Sequence, residues 1–262
     1  MCGRYAATKD PATLVKEFDA ADDIGDHQPT PDHNVAPTRK VMAVLARHPK
    51  DADGEADQAA PAERLLRVMR WGLIPFWAKD AAIGNRMINT RAETAASKPA
   101  FRSALKRHRC LLPADGWFEW RRGPAKGQKQ PFFMTTTDGS SLAFAGIWET
   151  WRDPKADSDA PKIVSCSVLT TDAVGSITDV HDRMPLLMPR EQWSRWLDPD
   201  LEDVMEMLEP PPLSMVDSLE LRPVSDKVNN VRNNGPELLE RVEPAADLDD
   251  PALFDPQALD SR

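Results

Sequence analysis

Seven short runs of apolar or alternating apolar and polar residues predict β-strands. They cover residues 41–46, 65–71, 109–113, 116–121, 131–137, 142–150 and 162–170. The polar stretch 48–62, between the first two runs, predicts a long hairpin loop. Asp138-Gly139 predicts a tight hairpin turn between 131–137 and 142–150. Most of the predicted strands therefore follow one another directly along the chain.

Helical patterns are fewer. Asp10 and Pro11 are typical of an N-cap and a first helical position, and Leu14, Val15 and Phe18 follow at helical spacing. Three further helices are predicted, over residues 98–108 with Ser97 as the N-cap, 190–197 and 201–208. Because strands outnumber helices and do not alternate with them, the pattern favours a mixed α+β fold with a mostly antiparallel sheet over repeated βαβ units.

The composition is that of a globular protein. The chain has 262 residues, of which 41% are hydrophobic and 29% charged, enough for one or two domains with a sizeable core. No apolar run approaches the roughly 20 residues that a membrane span needs, and the first residues lack the layout of a secretory signal. Three cysteines without a CxxC pair support neither a zinc site nor a disulfide framework. We therefore expect a cytoplasmic protein without a metal.

The net charge of −9 is unevenly distributed. The acidic segments 198–220, 235–262 and 51–57 carry net charges of −8, −6 and −4, which leaves +9 on the rest of the chain. If these segments lie at the periphery, the body of the protein is basic. The overall charge therefore does not exclude a polyanionic partner such as DNA.

Cys2 is the most informative single residue. Removal of Met1 would place an α-amine and a thiol on adjacent carbons at the N-terminus. The α-amine, with a pKa of ~8 against ~10.4 for a lysine, is partly nucleophilic at neutral pH. Such an aminothiol condenses with an aldehyde to a Schiff base and then closes a thiazolidine ring. Two alternatives stay open from Cys2 alone: an incidental N-terminal cysteine, and a nucleophile that attacks an amide as in N-terminal-nucleophile amidotransferases.

Seven motifs in order carry a family resemblance. They are MCGRY at 1–5, HNVAPT at 33–38, RWGLIPFWAKD at 70–80, INTRAET at 88–94, LLPADGWFEW at 111–120, DVHDRMP at 179–185 and VNNVRNNGPELL at 228–239. Each motif is modest alone, but the ordered set, anchored at residue 2, closely resembles the SRAP (SOS response-associated peptidase) family from residue 1 to about residue 242. The resemblance implies a single SRAP-type domain over 1–242, with a partly closed sheet and peripheral helices. Residues 243–262 are expected to form an acidic flexible tail.

The resemblance implies capture of abasic sites in single-stranded DNA through a covalent thiazolidine at Cys2. It assigns Asn89 to orientation of the nucleophile, Glu119 to proton transfer and His181 to opening of the sugar ring. The residues agree with these roles, since strand alternation places Glu119 on the face opposite Phe118 and its carboxylate among aromatic residues should have a raised pKa. Weak DNA lyase activity is also implied, because a Schiff base promotes strand cleavage.

Further residues are expected to hold the DNA. Arg4, Arg91 and Arg183 lie within two residues of a proposed catalytic group and would contact phosphates. The resemblance also implies that Pro37, Phe76 and Trp77 separate or stack on bases. Thr170 is expected to line the same pocket, and additional backbone affinity is expected from Arg102, Lys106, Arg107 and Arg109. Core packing is the alternative for Phe76. No metal or organic cofactor is implied, and we expect a monomer that is nucleoid-associated when bound to DNA and has no obligate protein partner.

Two rival functions stay open. The first is an N-terminal-nucleophile amidohydrolase or self-processing peptidase, which would release product from glutamine or peptides. The second is a binding module in which Cys2 is incidental, and it predicts equal affinity for abasic and intact single strands.

Overall fold

The computed structural model describes residues 2–51, 53–123 and 127–244, and these residues form thirteen strands and five α-helices. The strands are β1 (Tyr5–Ala7), β2 (Ala21–Asp22), β3 (Asp32–Val35), β4 (Lys40–Arg47), β5 (Glu63–Trp71), β6 (Asn89–Arg91), β7 (Arg109–Ala114), β8 (Gly116–Arg122), β9 (Lys129–Thr136), β10 (Leu142–Trp151), β11 (Ile163–Asp172), β12 (Arg183–Pro185) and β13 (Leu219–Pro223). The helices are α1 (Pro11–Phe18), α2 (Ala92–Ala95), α3 (Arg102–Arg107), α4 (Trp193–Leu197) and α5 (Leu213–Asp217). Short 3-10 helices cover Ala81–Arg86, Gly175–Asp179, Arg190–Gln192, Met205–Leu208, Asp226–Asn229 and Pro236–Leu239.

Five strands close into a barrel in the order β5-β4-β7-β10-β11. Four of its pairings are antiparallel, and the ring is closed by a short parallel pairing of β11 with β5, Ser165 opposite Arg70 and Cys166 opposite Trp71. Strands β2, β6 and β12 extend the margins of this sheet. The closed ring confirms the predicted partly closed, mostly antiparallel sheet and leaves few unpaired edges.

A second, antiparallel sheet has the strand order β13-β9-β8-β1-β3. Its inner face shares the largest core cluster with the barrel interior. The Tyr5 ring meets that of Trp71 edge-on at 5.2 Å, and Trp117 meets Phe144 at 6.1 Å. The junction of the two sheets is therefore filled by aromatic side chains from both.

The helices α1, α2, α3 and α4 pack on the outer face of the barrel, whereas Val216 of α5 belongs to the main core cluster. Residues of α1, α3 and α4 form a second core cluster with outward-facing strand residues such as Val44 and Leu111. The ring of Phe18 in α1 stacks on Trp193 in α4 at 4.3 Å. As predicted, Asp10 caps α1, and its carboxylate accepts a hydrogen bond from the backbone N of Thr13 at 3.0 Å.

Three local predictions are wrong. The helix expected over 98–108 begins only at Arg102, and turns precede it. The Ser97 hydroxyl donates to the carbonyl of Thr94 at 3.0 Å, so it does not cap a helix at this point. The turn at Asp138-Gly139 exists, but β9 and β10 belong to different sheets and form no hairpin. Of the helix expected over 201–208, only the 3-10 helix Met205–Leu208 forms.

The expected tail over 243–262 lies outside the described residues except for 243–244. Within the described ranges, every helix is too short or too polar to cross a membrane.

Candidate active site and DNA-contact surface

Cys2 lies directly before β1, at the junction of the two sheets, and is fully buried in the largest core cluster. Its carbonyl oxygen accepts a hydrogen bond from Nδ2 of Asn89 at 2.7 Å. Asn89 is the first residue of β6, and its register opposite Val168 on β11 fixes the side chain at this depth. The start of the chain is therefore attached to the barrel by an amide that comes 87 residues later.

The second polar atom of the Asn89 side chain is Oδ1. It is buried and accepts no hydrogen bond from any residue that the structure describes. An unsatisfied buried acceptor costs ~1–3 kcal/mol. This oxygen is therefore available to an N–H donor that enters the site.

Glu119 occupies the middle of β8, opposite Phe132 of β9. The strand alternation holds as predicted: Phe118 packs into a separate cluster on the far side of the sheet, whereas Trp117 points into the main core. Glu119 is 3% exposed, and burial raises its pKa to about 7. Burial, and then the nearby Glu119 carboxylate, raise the pKa of the Cys2 thiol far above its ordinary value, so the thiol is protonated at neutral pH.

His181 follows the 3-10 helix Gly175–Asp179, and its backbone N donates to the carbonyl of Ile177 at 3.0 Å. Its Nε2 lies 3.8 Å from Oε2 of Glu119. Burial lowers the pKa of His181, so the ring is neutral at pH 7. Nδ1 accepts a hydrogen bond from the backbone N of Arg183 at 2.9 Å, which places the ring proton on Nε2, toward Glu119.

Asp182 makes a competing contact to the same ring nitrogen, 2.8 Å from Nδ1. That contact requires a proton on Nδ1, whereas the Arg183 amide requires a lone pair there. We assign the lone pair to Nδ1 and so prefer the hydrogen bond from the Arg183 amide, because the Asp182 side chain is 87% exposed and its charge is screened by water.

The three arginines differ in their environments. Arg4 donates from Nη1 to Oδ1 of Asn34 at 2.8 Å and to the carbonyl of Val228 at 2.7 Å. Arg91 is exposed. Arg183 forms ion pairs with Glu93 at 2.7 Å and Asp172 at 2.5 Å, and also donates to the carbonyl of Thr170 at 2.6 Å. The charge of Arg91 is thus the most accessible of the three.

The apolar candidates lie on the surface. Phe76 is 63% exposed and Trp77 50% exposed, which excludes core packing for Phe76. Pro37 is half-buried and precedes Thr38, whose φ of 74° is in the left-handed region that a β-branched residue rarely adopts. Thr170 is fully buried beneath Arg183 and so offers its hydroxyl to that guanidinium, 3.4 Å away.

Asn34 is a site residue that the sequence did not single out. It is buried, and its Nδ2 donates to the carbonyls of Val228, Asn230 and Asn233 at 3.0–3.2 Å, while its Oδ1 accepts from Arg4. One side chain thus joins Arg4 to the loop 228–233. The signal was present, because both HNVAPT and VNNVRNNGPELL are among the seven motifs.

The predicted backbone contact by Arg109 is wrong. Arg109 is 3% exposed and donates five hydrogen bonds to main-chain carbonyls, so it is a structural residue. Arg107 is exposed but forms an ion pair with Glu202 at 3.1 Å.

No group of His, Cys, Asp or Glu in the described part of the chain could hold a metal ion. Cys110 and Cys166 are free and fully buried, and burial raises the pKa of both thiols. These two cysteines are inert core residues, as predicted.

Comparison with known proteins supplies the family. The family model described as "SOS response associated peptidase (SRAP)" matches residues 1–231. The abasic site processing protein YoqW of Bacillus subtilis is 34% identical over 243 residues, which cover 92% of this chain and 99% of YoqW. The abasic site processing protein HMCES of Rattus norvegicus is 31% identical over 243 residues, which cover 80% of this chain and 64% of HMCES.

A solved structure has the same fold. The crystal structure of a protein from Bacteroides thetaiotaomicron, 22% identical, has a TM-score of 0.75 and covers 92% of this chain and 100% of that chain. The family match spans most of the sequence, and YoqW aligns over nearly the full length of both chains. This chain belongs to the SRAP family.

Proposed function

We propose that this protein processes abasic sites in DNA damage, and that it does so by capturing them covalently in single-stranded DNA as a thiazolidine at Cys2. The observation that carries the proposal is the grouping of Cys2 with Asn89 and the Glu119–His181 pair in one buried site. The names of the similar proteins YoqW and HMCES support the DNA substrate. We propose that the protein acts as a monomer.

The reaction begins on the sugar. An abasic deoxyribose exists mostly as a cyclic hemiacetal, and opening breaks its C1–O4 bond as O4 gains a proton and the C1 hydroxyl loses one. Nε2 of His181 carries a proton on the side of the site that faces Glu119. The Nε2–H group of His181 therefore donates a hydrogen bond to O4 and assists the opening. Protonated Glu119 supplies the proton that O4 gains, and its carboxylate then takes the proton of the C1 hydroxyl.

Covalent capture then takes two steps. The α-amine of Cys2, freed by removal of Met1, attacks the aldehyde carbon and forms a C=N bond as one water leaves. The thiol next adds across that bond: Sγ bonds to carbon, and the thiol proton ends on nitrogen. A thiol whose pKa is raised by burial is a weak competitor for the aldehyde, so the amine reacts first.

Asn89 and Glu119 have distinct roles in these steps. Asn89 holds the Cys2 backbone through Nδ2, and its unpartnered Oδ1 accepts a hydrogen bond from the attacking amine. Glu119, with a pKa of about 7, is present in both protonation states at neutral pH. It can therefore take a proton from the amine and give one to the departing hydroxyl.

The DNA strand would cross the exposed residues around this site. Phe76 and Trp77 present apolar surface on which unpaired bases stack. Pro37, on its strained turn, would separate neighbouring bases. The flanking phosphates would be held by Arg4, Arg91 and Arg183, of which Arg91 is the most accessible. Thr170 would act indirectly, because it is buried beneath Arg183.

The test is an incubation with a single-stranded oligonucleotide that carries one abasic site. We expect a heat-stable band on a denaturing gel, with the intact mass of a chain that starts at Cys2 plus the oligonucleotide minus one water. The same oligonucleotide without the lesion is the control. An uncleavable N-terminal tag should abolish the band, and a tagged protein that still crosslinks through Cys2 contradicts the thiazolidine mechanism.

The same preparation tests the rivals. Release of ammonia from glutamine, or of fragments from peptides, without any DNA adduct would support an amidohydrolase or peptidase. Nicked oligonucleotide beside the adduct would reveal the expected weak lyase activity. Equal affinity for abasic and intact strands with no adduct would leave only a binding module.

A further inference from the structure

A pocket lies at one end of the barrel. Its wall includes the last residues of β4, the first half of β5 and Trp148 of β10. Its volume is about 630 Å³, within the range of roughly 300–1,000 Å³ found for small-molecule sites. Of the residues considered above for DNA contact, Arg107 alone lines it, and none of Cys2, Asn89, Glu119 and His181 does. It is therefore a separate feature from the Cys2 site.

The charge of the lining is opposite to that of the chain. The net charge of the protein is −9, yet the lining contains the basic residues Arg47, His48, Lys50, Arg67, Arg107 and His108. Among the described lining residues, Asp23 is the single carboxylate, and Arg67 pairs with it at 2.8 Å. Three of the basic side chains already have acidic partners from outside the lining, since Arg107 pairs with Glu202, His48 contacts Asp200 and His108 lies 3.6 Å from Glu149. Arg47 and Lys50 have no ion-pair partner among the residues that the structure describes.

Arg47 is the central cation of this pocket. Its guanidinium lies 4.5 Å from the centroid of the Trp148 ring, which also stacks with the His108 ring at 4.4 Å. The guanidinium of Arg47 makes no hydrogen bond or ion pair with any residue that the structure describes. Burial, and then the neighbouring charge of Arg67, lower the pKa of Arg47. Stacking offsets only part of the cost of a half-buried, unpaired cation, so an anion here would be stabilised.

The geometry selects among anions. The N–H donors of a guanidinium lie in one plane, where they can form a fork to two oxygens, and those of Arg47 have no acceptor among the residues that the structure describes. Arg47 and Lys50 together suit a dianion better than a single carboxylate. The remaining wall is apolar, with Leu65, Pro49 and Pro199. A flat organic group attached to the anion would be covered there.

We propose that this barrel-end pocket binds a phosphate monoester carried on a compact organic molecule of the nucleoside monophosphate class. The guanidinium of Arg47 would donate hydrogen bonds to two phosphate oxygens, and Lys50 would add a positive charge from the loop. Leu65, Pro49 and Pro199 would cover the base. The proposal does not depend on the chemistry at Cys2.

Calorimetric titration of the full chain with adenosine monophosphate, inorganic phosphate and adenosine tests this. We expect the monophosphate to bind most tightly. Arg47→Ala should raise its Kd by about tenfold or more, since a charged hydrogen bond contributes ~1.5–3 kcal/mol. Arg47→Lys should bind with intermediate affinity, because an ammonium cannot form the fork. The matched control is Arg102→Ala, an exposed arginine on α3 that does not line the pocket, and its Kd should be unchanged.

Three results would overturn the proposal: no binding at millimolar monophosphate, adenosine bound as tightly as the monophosphate, or equal weakening by Arg102→Ala. Displacement of the monophosphate by an intact single-stranded oligonucleotide would instead assign the phosphate to a nucleic acid strand and would also overturn it. If Arg47→Ala unfolds by circular dichroism, Lys50→Ala, on the exposed loop, keeps the test available. Its Kd should also rise, and an unchanged Kd would count against the pocket.

Discussion

Nε2 of His181 lies 3.8 Å from Oε2 of Glu119, and burial shifts the pKa values of the two groups in opposite directions. The pKa of Glu119 rises to about 7, while that of His181 falls below its ordinary value of 6.5. The usual order is therefore reversed, and the carboxyl group holds its proton more tightly than the imidazole. At neutral pH the pair therefore holds a transferable proton on Glu119 and a neutral imidazole beside it.

This pairing predicts a bell-shaped dependence of the crosslinking rate on pH. Attack requires the neutral amine, with a pKa of ~8, so the rate rises with pH on the acid side. Loss of water from the carbinolamine requires protonated Glu119, so the rate falls as pH rises above about 7. We expect a maximum between these two values in single-turnover rates followed by denaturing gel. Glu119→Gln should lower the rate by ~10²–10⁴-fold and remove the alkaline fall. A variant that keeps this fall would exclude Glu119 as the acid.

The raised pKa of Glu119 also predicts a cost in stability. The folded state holds this proton more tightly than the unfolded state, whose pKa is near 4.5, so stability is lost as pH rises from 4.5 through about 7. Glu119→Gln removes the ionisation. Relative to wild type, its free energy of unfolding should therefore increase by about 2–3 kcal/mol between pH 5 and pH 8. Urea denaturation at both pH values measures this, and a difference that does not change with pH contradicts it.

Cys2→Ala separates the amine from the thiol. The variant keeps an α-amine that forms a Schiff base but cannot close the ring, so the imine hydrolyses or eliminates the 3′ phosphate. We expect no heat-stable adduct without reduction, an adduct after borohydride, and residual nicking. Cys110→Ala, which removes another buried thiol of the same core, is the control and should keep the heat-stable adduct. A stable adduct in unreduced Cys2→Ala would mean that another nucleophile reacts.

The environments of the arginines predict unequal effects on noncovalent DNA binding. Arg91 is exposed, so Arg91→Ala should reduce the slope of log K against log salt by about 1, the value for one phosphate contact. Arg183 already pairs with Glu93 and Asp172, so Arg183→Ala should change the slope less. Fluorescence anisotropy across a salt series measures both, with the exposed Lys16→Ala on α1 as control. If Arg91→Ala and Arg183→Ala show the same slope as the Lys16→Ala control, neither arginine contacts a phosphate.

The sequence predicted individual strands well because alternation records which side chains are buried. It did not predict their partners. The Asp138-Gly139 turn connects strands of two different sheets, and the pairing of Cys166 with Trp71 that closes the barrel joins residues 95 positions apart. Pairing over such distances depends on the packing of the whole core, which no local pattern records.

For the candidate site too, the sequence predicted some residues and not others. Cys2, Asn89, Glu119 and His181 were named from motifs, and the raised pKa of Glu119 followed from its aromatic neighbours. The side chains that support them were not predicted. The hydrogen bonds of Asn34 and the ion pairs of Arg183 join segments up to 199 residues apart in the chain, so they exist only in the folded structure.

The order in which the site residues occur also has a consequence for synthesis of the protein. Cys2 leaves the ribosome first, but the amide, carboxylate and imidazole around it are supplied by Asn89, Glu119 and His181. Until residue 181 has emerged and the barrel has closed, the thiol has none of these partners. The candidate site is therefore completed late in translation, and a truncated or partly folded chain would display the cysteine without the groups proposed to act with it.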